Sequence, residues 1–414
     1  MNDPDLTVSV DRSELAAAVS IASQAVPKVA HDDRLLFQGG RLTHLADRLH
    51  VTATGPEMSI ETHVPLYGPP RMSRQHAPAP RRPGPAESDL PEITSVVPIG
   101  VLSRLVPRLK AGEVRLGLRA DRLDVESGRF RGSLKGWGRD GLILPLPPVE
   151  PRLTLRVGGS DIRDALAHVS LALSSDLVWT RGIQALSVTL TAGGDLRLVA
   201  TDRYHLAIAI CRDVEVHGGA SMEETALIPA GAVQVLAGLA GTDDDVVIEF
   251  GSDQTDVRIG DTTVRLTSVP GPIPDHRRMT DLDPTHRITL TRRTLATVVR
   301  RVGVMAHGQR RAIWLELDPT RAVARADDGE VGQARERFPA LVTGEQCEIG
   351  IGLPVLLVMV RRLADGRVVV GFDRTDKIAS IHSEERPDLR YYTTLLAVRP
   401  PPWLASAEAG HGSA

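Results

Sequence analysis

The stretch LRLVATDRYHLAI, residues 196–208, places Asp202, Arg203, Tyr204 and His205 side by side between two apolar segments. Such a group could serve acid–base catalysis, metal binding, a structural turn or the floor of a binding pocket. Acid–base catalysis requires two groups that converge on one substrate atom. Neighbouring side chains of a strand point to opposite faces, which argues against a catalytic pair here. We interpret Asp202 as a turn residue that accepts hydrogen bonds from nearby backbone N–H groups.

Other catalytic and metal-binding signatures are absent from the sequence. It contains no glycine-rich phosphate loop, no HExxH motif and no G-x-S-x-G motif. The 13 histidines lack metal-ligand spacing, and Cys211 and Cys347 are too few for a disulfide framework or a four-cysteine zinc site. We therefore expect two buried free thiols, no metal, no cofactor and no enzymatic activity.

Composition narrows the class further. The chain has 414 residues, 42% of them hydrophobic and 24% charged, and its net charge is −3. This charge argues against coating of nucleic acid by bulk charge but leaves a local basic face open. An aromatic content of 3% argues against base stacking on single strands. Without an apolar run or a charged leader, we expect a cytoplasmic protein that makes no contact with membranes.

The elements around residues 196–208 recur three times along the chain. Each copy opens with a short strand and an apolar helix, for which Ser13, Ser160 and Thr291 are the expected N-caps. A hairpin and then a second helix follow in each copy. The hairpins are LHVTATGPEMSIETHV, LRLVATDRYHLAIAI and AVARADDGEVGQARERF, and the second helices begin near Val97, Ile228 and Ile351. The sequence therefore predicts an α+β protein of three tandem domains, each with two helices on antiparallel sheet.

Proline-bearing junctions set the expected domain boundaries. They give domains at 1–151, 152–283 and 284–402, followed by a disordered tail at 403–414. The first domain carries an insert at 65–92 with eight prolines and no apolar periodicity, which predicts a mobile loop. Four of its arginines either contact DNA or are merely solvated: Arg71, Arg74, Arg81 and Arg82.

Three motifs carry a specific resemblance. VATDRYHLAI, PIPDHRRM (272–279) and YYTTLLAVRP (391–400), set in the ordered triple repeat, resemble segments of the bacterial DNA sliding clamps, the β subunits of the replicative DNA polymerase. The resemblance covers residues 1 to about 402 and looks like a divergent, actinobacterial-type member.

The resemblance implies a non-catalytic, head-to-tail homodimer closed into a ring of six domains. In such a ring the helices line a hole around duplex DNA and the antiparallel sheets form the outside. It holds polymerase subunits, a clamp loader and repair factors through short peptides, which implies a cytoplasmic, nucleoid-associated protein. An interface that closes after two copies is reasonable, because each chain offers two different ends.

The resemblance also assigns a pocket for these peptides between the second and third domains. Its expected residues are Thr201, Arg203, Tyr204, His205, Leu206, Pro274, Arg278, Met279, Leu357, Thr394 and Leu396. An apolar floor with a few polar groups suits the capture of a linear peptide. Purely structural roles remain as alternatives: Tyr204 and His205 could fill the core of the domain, and Arg278 could pair with Asp275 on the surface.

The same resemblance predicts a basic lining that contacts phosphates without reading sequence. Its expected members are Lys28, Arg104, Arg108, Lys110, Arg163, Arg292, Arg293, Arg300, Arg301, Arg361 and Arg362. Each of them could equally be a solvated position on a helix.

The expected dimer interface contains Leu105, Pro107, Phe130, Arg131 and Gly132. Pro107 falls inside the predicted second helix, where a proline costs about 3 kcal/mol unless the helix kinks. Gly132 stands where the family often has a bulky apolar residue. These two positions keep a rival open, a scaffold or decoy with the same fold and pocket that does not encircle DNA.

Overall fold

The computed structural model describes residues 6–26, 39–68, 71–72, 93–137, 145–173, 185–218, 224–241, 244–307, 311–327, 332–373, 375 and 377–399. Lys28, most of the 65–92 insert and the 403–414 tail lie outside these ranges, so the expectations for them stay predictions. No helix of the described residues is long and apolar enough to cross a membrane.

The threefold recurrence of elements is confirmed. The first copy contains β1 Leu6–Asp11, α1 Arg12–Ala22, β2 Gly39–Leu45, β3 Arg48–Thr54, β4 Met58–Pro65, β5 Arg71–Met72, β6 Ile93–Pro98, α2 Ile99–Leu105, β7 Glu113–Leu118, β8 Arg122–Ser127 and β9 Phe130–Lys135. The second contains β10 Leu153–Gly158, α3 Gly159–Val169, β11 Ala185–Leu190, β12 Leu196–Thr201, β13 His205–Cys211, β14 Val214–Gly218, β15 Glu224–Pro229, α4 Ala230–Leu239, β16 Asp245–Phe250, β17 Gln254–Ile259 and β18 Thr262–Thr267. After a short helix, α5 Arg277–Thr280, the third contains β19 His286–Thr291, α6 Arg292–Val302, β20 Ala312–Asp318, β21 Arg321–Asp327, β22 Gln333–Phe338, β23 Leu341–Thr343, β24 Cys347–Gly352, α7 Leu353–Arg362, β25 Arg367–Phe372, β26 Ile378–Ser383 and β27 Leu389–Thr394, followed by β28 Ala397–Arg399.

The described strands form four antiparallel sheets in two compact units. Unit 1 is Met1–Ser160, Glu215–Ala220 and Val235–Ser268, and unit 2 is Asp161–Val214, Ser221–Gln234 and Val269–Ala414. Unit 1 holds the sheets β5-β1-β7-β8-β9 and β14-β10-β16-β17-β18-β4-β3-β2-β6. Unit 2 holds β15-β11-β12-β13-β27-β26-β25-β19-β23 and β22-β21-β20-β24-β28. The middle copy thus supplies strands to both units, and the three domain boundaries stay predictions.

Each nine-stranded sheet joins two copies through one antiparallel pair of strands. In unit 1, β18 of the second copy pairs with β4 of the first, with Thr263 opposite Glu61. In unit 2, β27 of the third copy pairs with β13 of the second, with Arg390 opposite Ile208. Both junctions therefore join the last strand of one copy to the hairpin strand of the preceding copy.

Two of the three expected helix caps differ from the structure. The predicted cap Thr291 is confirmed, because its side chain accepts a hydrogen bond from Thr294 N. At α1 the cap is Asp11 rather than Ser13, since the Asp11 carboxylate accepts from the backbone N–H groups of Ser13 and Glu14. Ser160 lies inside α3, which begins one residue earlier.

Pro107 does not interrupt an α-helix. Helix α2 ends at Leu105, and Pro107 lies at the start of a 3₁₀ turn, Val106–Arg108, where its missing N–H has no helical partner to lose. The prediction that Pro107 lies inside the second helix is therefore wrong. Cys211 and Cys347 are both buried and neither forms a disulfide, as predicted.

Candidate functional site

Residues 202–204 form the tight turn between β12 and β13. Arg203 takes a left-handed backbone conformation with φ of 80°. The Asp202 carboxylate accepts hydrogen bonds from Tyr204 N at 3.0 Å and from His205 N at 2.7 Å. Thr201 Oγ1 donates to the His205 carbonyl at 2.8 Å. The interpretation of Asp202 as a turn residue is confirmed.

The side chains of Asp202 and His205 meet, contrary to the sequence argument. His205 Nδ1 lies 2.7 Å from Asp202 Oδ2, because the turn, not a strand, separates the two residues. Burial would raise the pKa of Asp202, but the hydrogen bond and charge of His205 outweigh burial and lower it. The Asp202 carboxylate therefore contacts the His205 imidazole and two backbone N–H groups, and these contacts stabilise the turn.

A cavity of about 200 Å³ opens beside this pair. Of the expected pocket residues, His205 and Leu206 lie in its wall, and the whole lining is Leu171, Ala172, Asp202, His205, Leu206, Pro354, Val355, Val358, Met359 and Tyr391. Leu357 is outside this lining, whereas Val358 and Met359 of the same helix are in it. Sequence reasoning missed those two residues, although the apolar face of α7 was a signal for them.

Leu206 also belongs to an apolar cluster with Val199, Ile208 and Tyr392. The half-buried side chains of Ile210, Ile273, Met279, Leu282 and Ile378 pack against this cluster. The structure therefore brings together Leu206 and Met279, two residues that the resemblance assigned to the pocket.

The segment around Met279 contains two more of the expected pocket residues, and neither is fully buried. Pro274 is half-buried and Arg278 is exposed. Asp275 pairs with Arg277 at 3.4 Å, so the alternative that paired it with Arg278 is wrong.

The terminal strand lies directly beside the 202–204 turn. Thr394 N donates to the Tyr204 carbonyl at 3.0 Å, and Leu396 N donates to Gly350 O at 2.8 Å. The Tyr204 side chain is 57% exposed and that of Leu396 is 53% exposed. The alternative that Tyr204 fills the core is therefore wrong, and both side chains are open to a partner.

Basic side chains lie on the exposed sides of several helices. In α6 the buried side contains Leu295, Val298, Val299 and Val302, and Arg293, Arg300 and Arg301 are exposed. Arg104, Arg108, Lys110, Arg361 and Arg362 are also exposed.

Three of the expected basic residues are partly neutralised by carboxylates. Arg292 pairs with Asp365 at 2.9 Å, and Arg301 pairs with Glu336 at 3.1 Å. Arg163 is half-buried, 3.7 Å from Asp164. The described α4 carries no basic residue, as the sequence indicated.

The expected dimer residues belong to α2, to the turn that follows it and to β9. Leu105 is half-buried, and Pro107 and Arg131 are exposed. A Cβ built at Gly132 would lie 2.8 Å from Cζ of Phe130, so the Phe130 ring covers this glycine. The ring supplies apolar surface at the position where the sequence lacks a large side chain.

A cluster with metal-ligand chemistry, which sequence reasoning missed, occurs in unit 1. One ligand atom from each of His50, Glu61 and His63 lies within 4.8 Å of the others. Alternation along β4 and the register of the β3–β4 hairpin were the signals that could have found it.

The known proteins that are similar in sequence or structure are DNA polymerase III β subunits, the DNA sliding clamps. Residues 281–396 match the family described as DNA polymerase III beta subunit, C-terminal domain. The beta sliding clamp of Synechococcus elongatus is 24% identical over 270 residues, which cover 64% of this chain and 68% of that protein. The beta sliding clamp of Salmonella typhimurium is 22% identical over 84% of this chain and 88% of its own length. The crystal structure of a sliding clamp from Pseudomonas aeruginosa, bound to griselimycin, has a TM-score of 0.81 and 19% identity over 94% of this chain and 99% of that one.

Proposed function

The chain belongs to the family of DNA polymerase III β subunits, the DNA sliding clamps, and we propose that two copies close head to tail into a ring around duplex DNA. Members of this family are non-catalytic processivity factors. In this role the chain tethers polymerase subunits, a clamp loader and repair factors to the DNA of the nucleoid through their short peptides, without a catalytic step of its own.

The observation that supports the ring is that two strands, β9 and β22, lie at the edges of their sheets. Among the described residues, β9, the last strand of the first copy, pairs only with β8, and β22, the hairpin strand of the third copy, pairs only with β21. These strands have the same positions in their copies as the partners in the junctions β18·β4 and β27·β13. A β9·β22 pair between two chains would repeat that junction and close after two copies.

The two existing junctions also supply a register. Within each hairpin, the second strand pairs with the first over Ser59–Pro65 in β4 and over Leu206–Cys211 in β13. The third residue of that range, Glu61 or Ile208, stands opposite the second residue of the last strand, Thr263 or Arg390. The same rule applied to β9 and β22 puts Arg131 of one chain opposite Arg335 of the other. Gly132 then faces Ala334, and Ser133 faces Gln333.

Paired cysteines test both the dimer and its register. Ser133 and Gln333 are exposed, and opposite residues of an antiparallel pair have Cα atoms at about the separation that a disulfide needs. Ser133→Cys combined with Gln333→Cys should oxidise to a covalent dimer on a non-reducing gel. The matched control, Ser133→Cys with Arg337→Cys, is displaced by four residues and should stay monomeric on the gel. Equal cross-linking in both variants, or in neither, would overturn the proposed pairing.

The exposed basic residues of α2, α6 and α7 support contact with DNA phosphates. Such contacts are independent of sequence and weaken as salt rises, which suits a ring that slides. Encirclement can be tested by oxidising the Ser133→Cys, Gln333→Cys protein in the presence of circular duplex. A closed ring should remain on the circle in high salt and leave it after linearisation. Release in high salt from intact circles would exclude encirclement.

The exposed Tyr204 and Leu396, together with Met279 and the cluster around Leu206, support peptide capture at this face. An apolar surface with a few polar groups suits leucine and aromatic anchors of a linear peptide, and a few anchors should supply most of the affinity.

One observation favours the rival, a scaffold or decoy that binds peptides without encircling DNA. The proposed register sets Arg131 against Arg335, whereas the β18·β4 junction holds the Arg265–Glu61 ion pair at 2.7 Å. Like charges opposite each other destabilise a strand pair. Light scattering from tens of micromolar to nanomolar distinguishes the two: a dimer that survives dilution supports the ring, and a monomer throughout supports the scaffold.

A further inference from the structure

The hairpin β3–β4 brings two imidazoles and a carboxylate onto one face. His50 stands directly opposite His63, and Thr52 stands opposite Glu61. Because Glu61 and His63 are two residues apart on a strand, their side chains share a face, and the cross-strand pair adds His50 to it. The two imidazole rings lie 4.4 Å apart, centroid to centroid, and are nearly perpendicular.

From this geometry we propose that His50, Glu61 and His63 bind one zinc-like divalent transition-metal ion. The cluster is only half-buried, so the ion can enter from solvent. His50 Nδ1 and Glu61 Oε1 are 3.2 Å apart, close to the separation of about 3.3 Å between two ligand atoms of a tetrahedral zinc site. Two imidazoles and one glutamate form a known catalytic-type zinc ligand set, with water completing the coordination.

A hydrogen bond to the backbone sets the tautomer of His63. His63 Nδ1 lies 2.9 Å from the backbone carbonyl of Asp261, and a carbonyl can only accept. Nδ1 therefore carries the proton, and Nε2 keeps the lone pair that a metal binds.

The Glu61 carboxylate divides its two oxygens between partners. Its Oε2 accepts from Arg265 Nη1 at 2.7 Å, which leaves Oε1 toward His50. The hydrogen bond from His50 and the Arg265 charge lower the pKa of Glu61 to about 2, so the ligand is ionised without help from a metal. In the metal-free protein His50 Nδ1 lies against Oε1, and binding of an ion through Nδ1 requires the His50 tautomer that carries its proton on Nε2.

The imidazole ligands favour a transition-metal ion over calcium or magnesium. Arg265 supplies positive charge beside the carboxylate, and Asp256, 3.5 Å from Arg265, offsets part of it. Imidazole ligands suit Zn²⁺, Cu²⁺ and Ni²⁺, whereas Ca²⁺ and Mg²⁺ prefer oxygen ligands. Because Asp261 and Arg265 belong to the β17–β18 hairpin, a bound ion would brace the β18·β4 junction.

The test is calorimetric titration of the full chain with ZnCl₂ after removal of metals by chelation. One ion should bind per chain. His50→Gln and His63→Gln should each weaken binding at least tenfold. His217→Gln, which changes an exposed histidine of the same unit, should leave it unchanged.

Thermal unfolding with and without ZnCl₂ keeps the proposal testable if a variant folds poorly. Zinc should raise the midpoint of the wild type and of His217→Gln but not that of either cluster variant. Absence of binding to the wild type, or equal binding by all four proteins, would overturn the proposal.

Discussion

The ring of Phe130 lies over Gly132, two residues along the same edge strand, and occupies the space that a Cβ at Gly132 would need. Both residues are on β9, whose open edge we propose as half of the dimer interface. Phe130 is still 38% exposed, so a partner strand would bury more of its ring. The glycine therefore does not leave the interface without apolar surface.

Phe130→Ala should weaken the dimer without unfolding the chain. Burial of the exposed part of an aromatic ring contributes about 1–2 kcal/mol, which corresponds to a dissociation constant raised about tenfold. Light scattering over a dilution series measures it. Leu45→Ala, which truncates another exposed apolar side chain, is the control and should leave the dimer unchanged. An undisturbed Phe130→Ala dimer would exclude β9 as the interface.

Arg131→Gln should strengthen the dimer. In the proposed register Arg131 faces Arg335 of the second chain, and removal of a like-charge pair across strands is worth about 0.2–1 kcal/mol. Sedimentation should therefore show a dissociation constant lowered by up to about fivefold, and the gain should shrink in high salt. Arg129→Gln removes an equal charge from the adjacent turn and should have a smaller effect. A weaker Arg131→Gln dimer would contradict the register.

The repeat and its hairpins could be predicted because period-two alternation and a recurring strand–helix order are local signals. The choice between Asp11 and Ser13 as helix cap could not, because both side chains can cap and only the backbone decides between them. Likewise, the meeting of Asp202 with His205 depends on where the strand ends.

The pocket wall was predicted only in part, since it is assembled from residues distant in sequence. Leu171 and Tyr391 line the same cavity although about 220 residues separate them. Resemblance pointed to Leu206 and Met279, which do lie together, but it selected Leu357 where the helix turns Val358 and Met359 toward the cavity. Which side of a helix faces a cavity depends on packing, which a single sequence does not reveal.

Replacing Arg293 and Arg300 together by alanine should weaken DNA binding. The two exposed residues are seven apart on α6, which puts them on one side of the helix. For each phosphate that the variant no longer neutralises, the slope of log K against log salt should fall by roughly 0.9. Fluorescence anisotropy with a duplex at several salt concentrations measures the slope. Arg258→Ala, on strand β17, is the matched control. An unchanged slope would place the DNA-binding surface elsewhere.

Met279→Ala should reduce the affinity for a peptide with leucine and aromatic anchors. Its half-buried side chain packs against the cluster of Leu206 and Tyr392, and loss of about two methylene equivalents costs roughly 1–2 kcal/mol. Calorimetry should therefore give a dissociation constant raised about five- to thirtyfold. Met305→Ala changes another half-buried methionine and should bind the peptide normally. Equal affinities of the two variants would rule out this face as the pocket.

Glu61→Gln should destabilise unit 1 in a pH-dependent manner, with chelator present so that metals play no part. The hydrogen bond from His50 and the charge of Arg265 lower the pKa of Glu61 from 4.5 to about 2. A lowered folded-state pKa stabilises the protein above the unfolded value, and this stabilisation is lost as the pH falls from 4.5 toward 2. The variant should therefore lose about 2–3 kcal/mol of unfolding free energy at pH 7 and progressively less below pH 4.5. Urea unfolding at pH 7, 5 and 3.5 measures the difference. Glu249→Gln breaks a comparable ion pair with Arg258 in the same unit and provides the control. A deficit that is constant across this pH range would mean that Glu61 stabilises the junction by packing rather than by its charge.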